Sequence, residues 1–219
     1  MKIITDSSCD LPDSVLREYD IEVVPLTNTF PGEGEYLEGV DLSKEQFQEK
    51  LKNARILPRT TAVDPNRFLA AFQKALKETG EVIYVGLSSR LSGTYQAASL
   101  AREMLGSDRI HLIDSLSASM GVGVLAFRAA QLVRKGMALP VLLEKLNHLR
   151  DGMITMCTMD TLENLVQGGR LSRVQGRLGS LLDIKPVILG DDGKLHMVDR
   201  VRGRNRALSR ISSLLVKYS

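Results

Sequence analysis

Short apolar runs alternate along the chain with longer stretches in which apolar residues recur every three to four positions, which predicts strands and helices in turn. Lys2–Asp6 reads as a strand ending on polar residues. Asp10 stands as the cap of a following helix, with Pro12 in the first turn and Asp13 three residues on, close to a capping box. Ile21–Leu26 reads as the next strand, and a Gly-rich loop, Pro31–Gly34, precedes a helix over Ser43–Asn53. Asp64-Pro65 supplies a cap and a first-turn proline for a helix reaching Thr79. Strand Glu81–Gly86, helix Ser92–Leu105, strand Arg109–Asp114 and helices Ser119–Arg134 and Leu139–Leu149 follow. This alternation predicts an α/β fold, with a Rossmann-like, largely parallel sheet covered by helices on both faces.

Beyond residue 150 the pattern changes. Met153–Thr158 reads as a strand, Met159–Val166 as a short helix and Ser172–Leu182 as another. Lys185–Leu189 and Lys194–Arg200 flank a turn at Asp191–Gly193, the pattern of an antiparallel hairpin, and a last helix starts near Gly203. The expected organisation is a parallel-sheet domain over 1–150 that carries the ligand loops, then a smaller α/β domain with antiparallel strands over 151–219.

Composition narrows the class. With 43% hydrophobic and 25% charged residues, the chain has the balance of a globular protein rather than a disordered one. No apolar run approaches the roughly 18 residues of a membrane span, and the N-terminus lacks a signal-peptide pattern. Cys9 and Cys157 lie too far apart for a CxxC pair or a zinc knuckle. A cytoplasmic protein without a membrane span or structural zinc is expected. The net charge of +3 hides an asymmetry: from Arg170 onward eleven Lys and Arg face four Asp, giving +7, and the first 169 residues carry −4. A basic end suits nucleic acid, phosphate or an acidic protein partner, or is simply a solvated face. The run Arg200, Arg202, Arg204, Arg206 and Arg210 lacks interleaved aromatics, which disfavours single-stranded nucleic acid.

Three stretches place hydroxyls between a strand and a helix start: Thr60-Thr61, Ser88–Thr94 and Ser115–Ser119. In an open parallel sheet such loops fall at the carboxyl ends of the strands, where ligands bind, and helix N-termini suit carboxylate or phosphate. A single hydroxyl of this kind could equally cap its own helix; three loops converging on one edge favour a site. Gly121–Ala126 fits G-x-G-x-x-A, but six residues separate it from its strand, so a dinucleotide site is disfavoured. Its small residues let a helix pack closely on the sheet or on a bound apolar chain. No G-x-S-x-G or HExxH is present, and His111, His148 and His196 lie in or beside apolar patterns. Asp6 and Asp114 end strands, where orienting neighbouring hydroxyls is the modest role for each. Gly168-Gly169 suits a helix C-cap and positions Arg170, either for an anion or for a structural ion pair. The expected site binds and has no catalytic residue and no metal.

The combination of Ile4–Pro12, Pro58–Thr61, Leu91–Ala97, Asp114-Ser115 with Ser119–Gly123, and Leu165–Ser172 with Lys185-Pro186 resembles the DegV family of fatty-acid-binding proteins, in family order over nearly the whole chain. After Thr60 the family continues Ser-Gln-Pro where this chain has Thr61-Ala62-Val63, and the family runs on past a helix like 203–217 to a histidine-bearing Gly-Pro segment. The expectation is a fragment or a short variant whose lipid site lacks its far wall. The resemblance implies a carrier that buries a long-chain fatty acid between two domains and presents the carboxylate to a fatty acid kinase for phospholipid synthesis. It implies Thr60 or Thr61, Ser92 and the Gly93 N–H as head-group ligands, with Ser119 among the ligand-binding residues. Arg170 falls behind the ligand or faces the kinase. The alternative is a phosphate- or nucleic-acid-binding regulator using the basic end. Burying about sixteen carbons at roughly 0.8 kcal/mol each gives about 12 kcal/mol before ordering costs. A carboxylate at a helix N-terminus adds only about 0.3–2 kcal/mol, so the tail sets affinity and the hydroxyls set orientation.

Overall fold

The structure, a computed structural model, describes residues 1–54, 56–171 and 183–218. The chain divides into two compact units, Met1–Gly152 and Met153–Ser219. The class is α/β, with one parallel sheet and two antiparallel ones.

In chain order the first unit contains β1 (Lys2–Asp6), α1 (Asp13–Glu18), β2 (Ile21–Val24), β3 (Thr27–Phe30), β4 (Gly34–Leu37), α2 (Lys44–Asn53), β5 (Arg59–Thr61), α3 (Pro65–Thr79), β6 (Val82–Gly86), α4 (Thr94–Leu105), β7 (Ile110–Asp114), α5 (Met120–Arg134) and α6 (Leu139–Asp151). Strands β2-β1-β6-β7 form the parallel sheet, in register Ile3↔Ile21, Ile3↔Ile83 and Tyr84↔Leu112. Both faces are covered, so β1 and β6 are buried at every position. Strand alternation sends Ile3, Ile83 and Val85 to a core shared with α5 and α6, and Ile4, Val82 and Tyr84 to a core shared with α3 and α4. The α3 helix is built as its sequence dictates. The Asp64 carboxylate accepts the Asn66 N–H at 2.8 Å, Pro65 fills the first turn, Phe68, Phe72 and Ala75 line the buried stripe, and Gly80 closes the helix at φ +79°.

Three expectations need correction here. Asp10 does not cap a helix: it adopts a left-handed conformation (φ 53°) closing a tight turn over Ser7–Cys9, and Pro12 takes the N-cap of α1. The strand predicted over Ile21–Leu26 stops at Val24, because Pro25 has no N–H to give a ladder. The most consequential error concerns Thr60 and Thr61. They occupy strand β5, which pairs antiparallel with β3 (Asn28↔Thr60) in a small β4-β3-β5 sheet, not a loop at the end of a parallel strand. Pro31–Gly34 is the turn of the β3–β4 hairpin. The α2 helix carries a reciprocal capping box, Gln46 N–H to Ser43 Oγ at 3.2 Å and Ser43 N–H to Gln46 Oε1 at 2.8 Å.

The second unit contains β8 (Thr155–Thr158), α7 (Glu163–Gln167), β9 (Ile184–Asp191), β10 (Lys194–Arg202) and α8 (Arg204–Tyr218), its strands ordered β10-β9-β8 and antiparallel. The β9–β10 turn has positive φ at both Asp192 (47°) and Gly193 (73°), the geometry whose twist matches a hairpin. Helix α7 ends in a Schellman arrangement: Gly169 at φ +74°, its N–H on Val166 O at 3.1 Å, and the Arg170 N–H on Leu165 O at 2.9 Å. Leu162, Leu171 and Ile188 form a local core. The helix predicted over Ser172–Leu182 lies outside the described residues.

Candidate functional site

Because β1, β6 and β7 run parallel, the loops that leave their carboxyl ends share one sheet edge, and these loops are tied to one another. The Leu87 N–H donates to Asp6 Oδ2 (2.9 Å), the Ser88 N–H to Ser117 O (2.9 Å), the Ser89 N–H to Asp114 Oδ1 (3.2 Å) and the Ser119 hydroxyl to Asp10 Oδ2 (2.6 Å). Asp6 is the hub. Fully buried, its carboxylate also accepts the Tyr84 hydroxyl at 2.7 Å, the Ser8 N–H at 3.1 Å and the Ser8 hydroxyl. A buried carboxylate with that many donors is held rigidly, so Asp6 and Asp114 orient the loops.

The Ser92–Gly93 turn opens α4. Ser92 Oγ accepts the Thr94 N–H at 3.2 Å and lies 3.0 Å from the Thr94 hydroxyl, itself buried and accepting the Val63 N–H at 3.4 Å. A Cβ on Gly93 would sit 3.7 Å from Ala62. The 60–63 segment and the Ser92 turn therefore do meet, but through Ala62, Val63 and Thr94. Thr60 and Thr61 are exposed on β5, and the Thr60 hydroxyl donates to Asn28 Oδ1 at 3.0 Å. Ser119 stands before α5 at φ 54°, ψ −133°, a conformation L-residues rarely adopt, and it caps nothing; its hydroxyl is given to Asp10. Arg170 lies in the second unit, exposed, with its guanidinium on Gly168 O at 2.5 Å.

Residue-level reading of the sequence passed over Ser7, Ser8 and Asn28. The signal for the first two was available: they follow β1 as Ser88–Ser92 follow β6, and the strand-end rule applies equally. The Ser7 hydroxyl donates to Glu38 Oε2 (2.8 Å) and accepts the Leu26 N–H (3.0 Å). Burial raises the Glu38 carboxyl above its ordinary range, the Ser7 hydrogen bond opposing this and Asp10 and Asp6 adding to it. Burial likewise pushes the Cys9 thiol up to about 11, and the Tyr84 phenol well above 10. The G-x-G-x-x-A stretch lies inside α5, where Gly123 packs against the Cys9 carbonyl; a Cβ there would be 2.3 Å from that oxygen. Among the described residues no three His, Cys, Asp or Glu side chains gather to hold a metal ion, and no helix is long and apolar enough to cross a membrane. What this edge offers chemically is hydrogen-bond donors, hydroxyl and backbone, around a helix start.

Comparison with known proteins agrees with that architecture. A family profile described as "Uncharacterised protein, DegV family" matches residues 1–219. A DegV domain-containing protein of Clostridium acetobutylicum is 37% identical over 211 residues, spanning 94% of this chain and 74% of that protein. Among solved structures, one described as the fatty acid binding of a DegV family protein from Thermus thermophilus superposes with a TM-score of 0.88 at 31% identity, covering 99% of this chain and 77% of its own. A stearic acid-binding protein from Eubacterium ventriosum gives a TM-score of 0.88 at 27% identity, covering 99% of this chain and 76% of its own. Over its whole length, the chain belongs to the DegV family.

Proposed function

We propose that this chain is a non-catalytic fatty-acid-binding protein whose ligand is a long-chain fatty acid. The observation that carries the reading is that the Thermus thermophilus relative, 31% identical over 99% of this chain, is described by its fatty acid binding. The hydroxyl-bearing loops at one sheet edge supply the matching chemistry. In this reading the carboxylate sits at the start of α4, taking the Ser92 hydroxyl and the Gly93 N–H, with Thr60 or Thr61 and Ser119 as its other polar neighbours. The first N–H groups of a helix have no intrahelical partners, and the dipole there favours an anion. The finer proposal is that the chain acts in the cytoplasm as a carrier, presenting the carboxylate to a fatty acid kinase that forms an acyl phosphate for phospholipid synthesis. Arg170 is assigned the kinase-facing side.

Native mass spectrometry of the purified protein, followed by calorimetric titration of the delipidated chain with palmitate, tests the binding. A co-purifying fatty acid and saturable palmitate binding are expected. Absence of both overturns the reading. A coupled assay with a fatty acid kinase and ATP, reading acyl phosphate with and without this chain, tests the finer proposal.

A further inference from the structure

We propose that the cleft walled by Asp10, Asn28, Glu38 and Lys44 in the first unit is a second ligand site, one that takes a small zwitterion, an α-amino acid with an apolar side chain. The cleft has a volume of about 210 Å3, and Tyr36 and Phe47 line its apolar side. That is below the roughly 300–1,000 Å3 of sites for drug-sized ligands, so the occupant is a small metabolite. The observation that points to a ligand is Asn28. Only 4% exposed, its side chain lines the cleft and spends Oδ1 on the Thr60 hydroxyl, while Nδ2 donates to nothing among the described residues. Nδ2 is reached by solvent rather than sealed in the protein, so it is a donor open to a ligand in the cleft.

The surrounding groups specify what does so. Lys44 gives one proton to Leu11 O at 3.0 Å and keeps two, so Lys44 and Asn28 together present donors suited to a carboxylate. Glu38 commits Oε2 to Ser7 and Asp10 commits Oδ2 to Ser119, which leaves one oxygen of each carboxylate for an ammonium. A simple anion here meets two carboxylates and a simple cation meets the lysine. A zwitterion satisfies both signs, and its apolar side chain packs on Tyr36 and Phe47. The inference goes beyond fatty acid binding and does not rest on it, although the same walls hold Ser7, Thr60 and Ser119 by their other atoms.

The test is calorimetric titration of the delipidated full chain with three probes: L-leucine, 4-methylpentanoate, which lacks the ammonium, and isopentylamine, which lacks the carboxylate. Leucine is expected to bind at least about tenfold tighter than either analogue, the scale of one charge-assisted hydrogen bond. Glu38→Gln, which still accepts from Ser7, and Lys44→Met, at an exposed position, each lower leucine affinity by about tenfold or more. Lys44→Met keeps the test valid if Glu38→Gln fails to fold. No binding of any probe, equal binding of all three, or leucine binding indifferent to the substitutions that fold overturns the proposal. Displacement of leucine by palmitate also overturns it, because the cleft would then be the fatty acid head-group site itself. Palmitate titrated alone into the same sample reports separately on the fatty acid reading.

Discussion

Ser92 Oγ accepts the Thr94 N–H, and with Thr94 donating across the 3.0 Å between their hydroxyls, the Ser92 proton is available to a ligand. Ser92→Ala therefore has two separable consequences. Losing the acceptor at the helix start costs about 1 kcal/mol of stability. Losing the donor to a bound carboxylate costs about 1–2 kcal/mol of affinity, a Kd for palmitate raised roughly five- to thirtyfold. Calorimetric titration of the variant reads the second effect, and an unchanged Kd removes Ser92 from the head-group site. Cys9 gives a prediction about pH. Its folded pKa is raised by burial from 9.0 to about 11, so the unfolded thiol ionises first as the pH climbs. The folded state is at no disadvantage below pH 9.0 and loses stability between 9.0 and about 11, by about 2–3 kcal/mol at most. Urea unfolding of wild type and Cys9→Ala across this range should give curves that converge as the pH rises. Parallel curves would show that this thiol does not titrate as its burial implies.

Packing is close where α5 crosses the loop after β1. A Cβ at Gly123 would stand 2.3 Å from the Cys9 carbonyl oxygen and 3.1 Å from Leu11, and the first of these is backbone that cannot swing aside. Gly123→Ala is expected to cost about 1–3 kcal/mol by forcing the helix away from the loop after β1. For a chain of this size that lowers Tm by about 2–4 °C per kcal/mol, and thermal unfolding checks it. Elements that carry their own punctuation were legible in the sequence: α3 from Asp64-Pro65 to Gly80, and the β9–β10 hairpin from Asp192-Gly193. Elements that exist only through a distant partner were not. Strand β5 is three exposed residues, Arg59–Thr61, with no apolar alternation, and it is a strand because β3 pairs with it. Asp10 resembles a cap in sequence, yet its carboxylate serves Ser119, 109 positions away. The site followed the same division. Ser92 and Gly93 are readable as strand-then-helix grammar, whereas Asn28 beside Thr60 needs the antiparallel sheet that local pattern does not announce.

Across the whole molecule, charge is distributed unevenly, with −4 over residues 1–169 and +7 over the remainder. Within the basic part, Arg210 is committed to Asp199 at 2.5 Å and Lys185 lies between Asp160 (2.9 Å) and Asp183 (3.2 Å), while Arg202, Arg204 and Arg206 are exposed around the start of α8. Exposed charges of one sign contribute little to a fold but raise the rate at which an oppositely charged partner is met. If an acidic kinase surface is that partner, Arg202→Glu/Arg206→Glu should slow acyl phosphate formation and flatten its dependence on salt, because charges at an interface rim act mainly on association. Palmitate affinity should stay unchanged, since in the proposed carrier a buried tail contributes most of it and is insensitive to ionic strength. A nucleic acid partner predicts something different: affinity falling linearly on a log–log plot against salt, with the two arginines each contributing to the slope. Measuring kinase-coupled turnover and palmitate binding at low and high salt, for wild type and the double variant, separates these cases. Equal turnover of the two proteins at every salt concentration would falsify the docking role and leave the arginines as a solvated face.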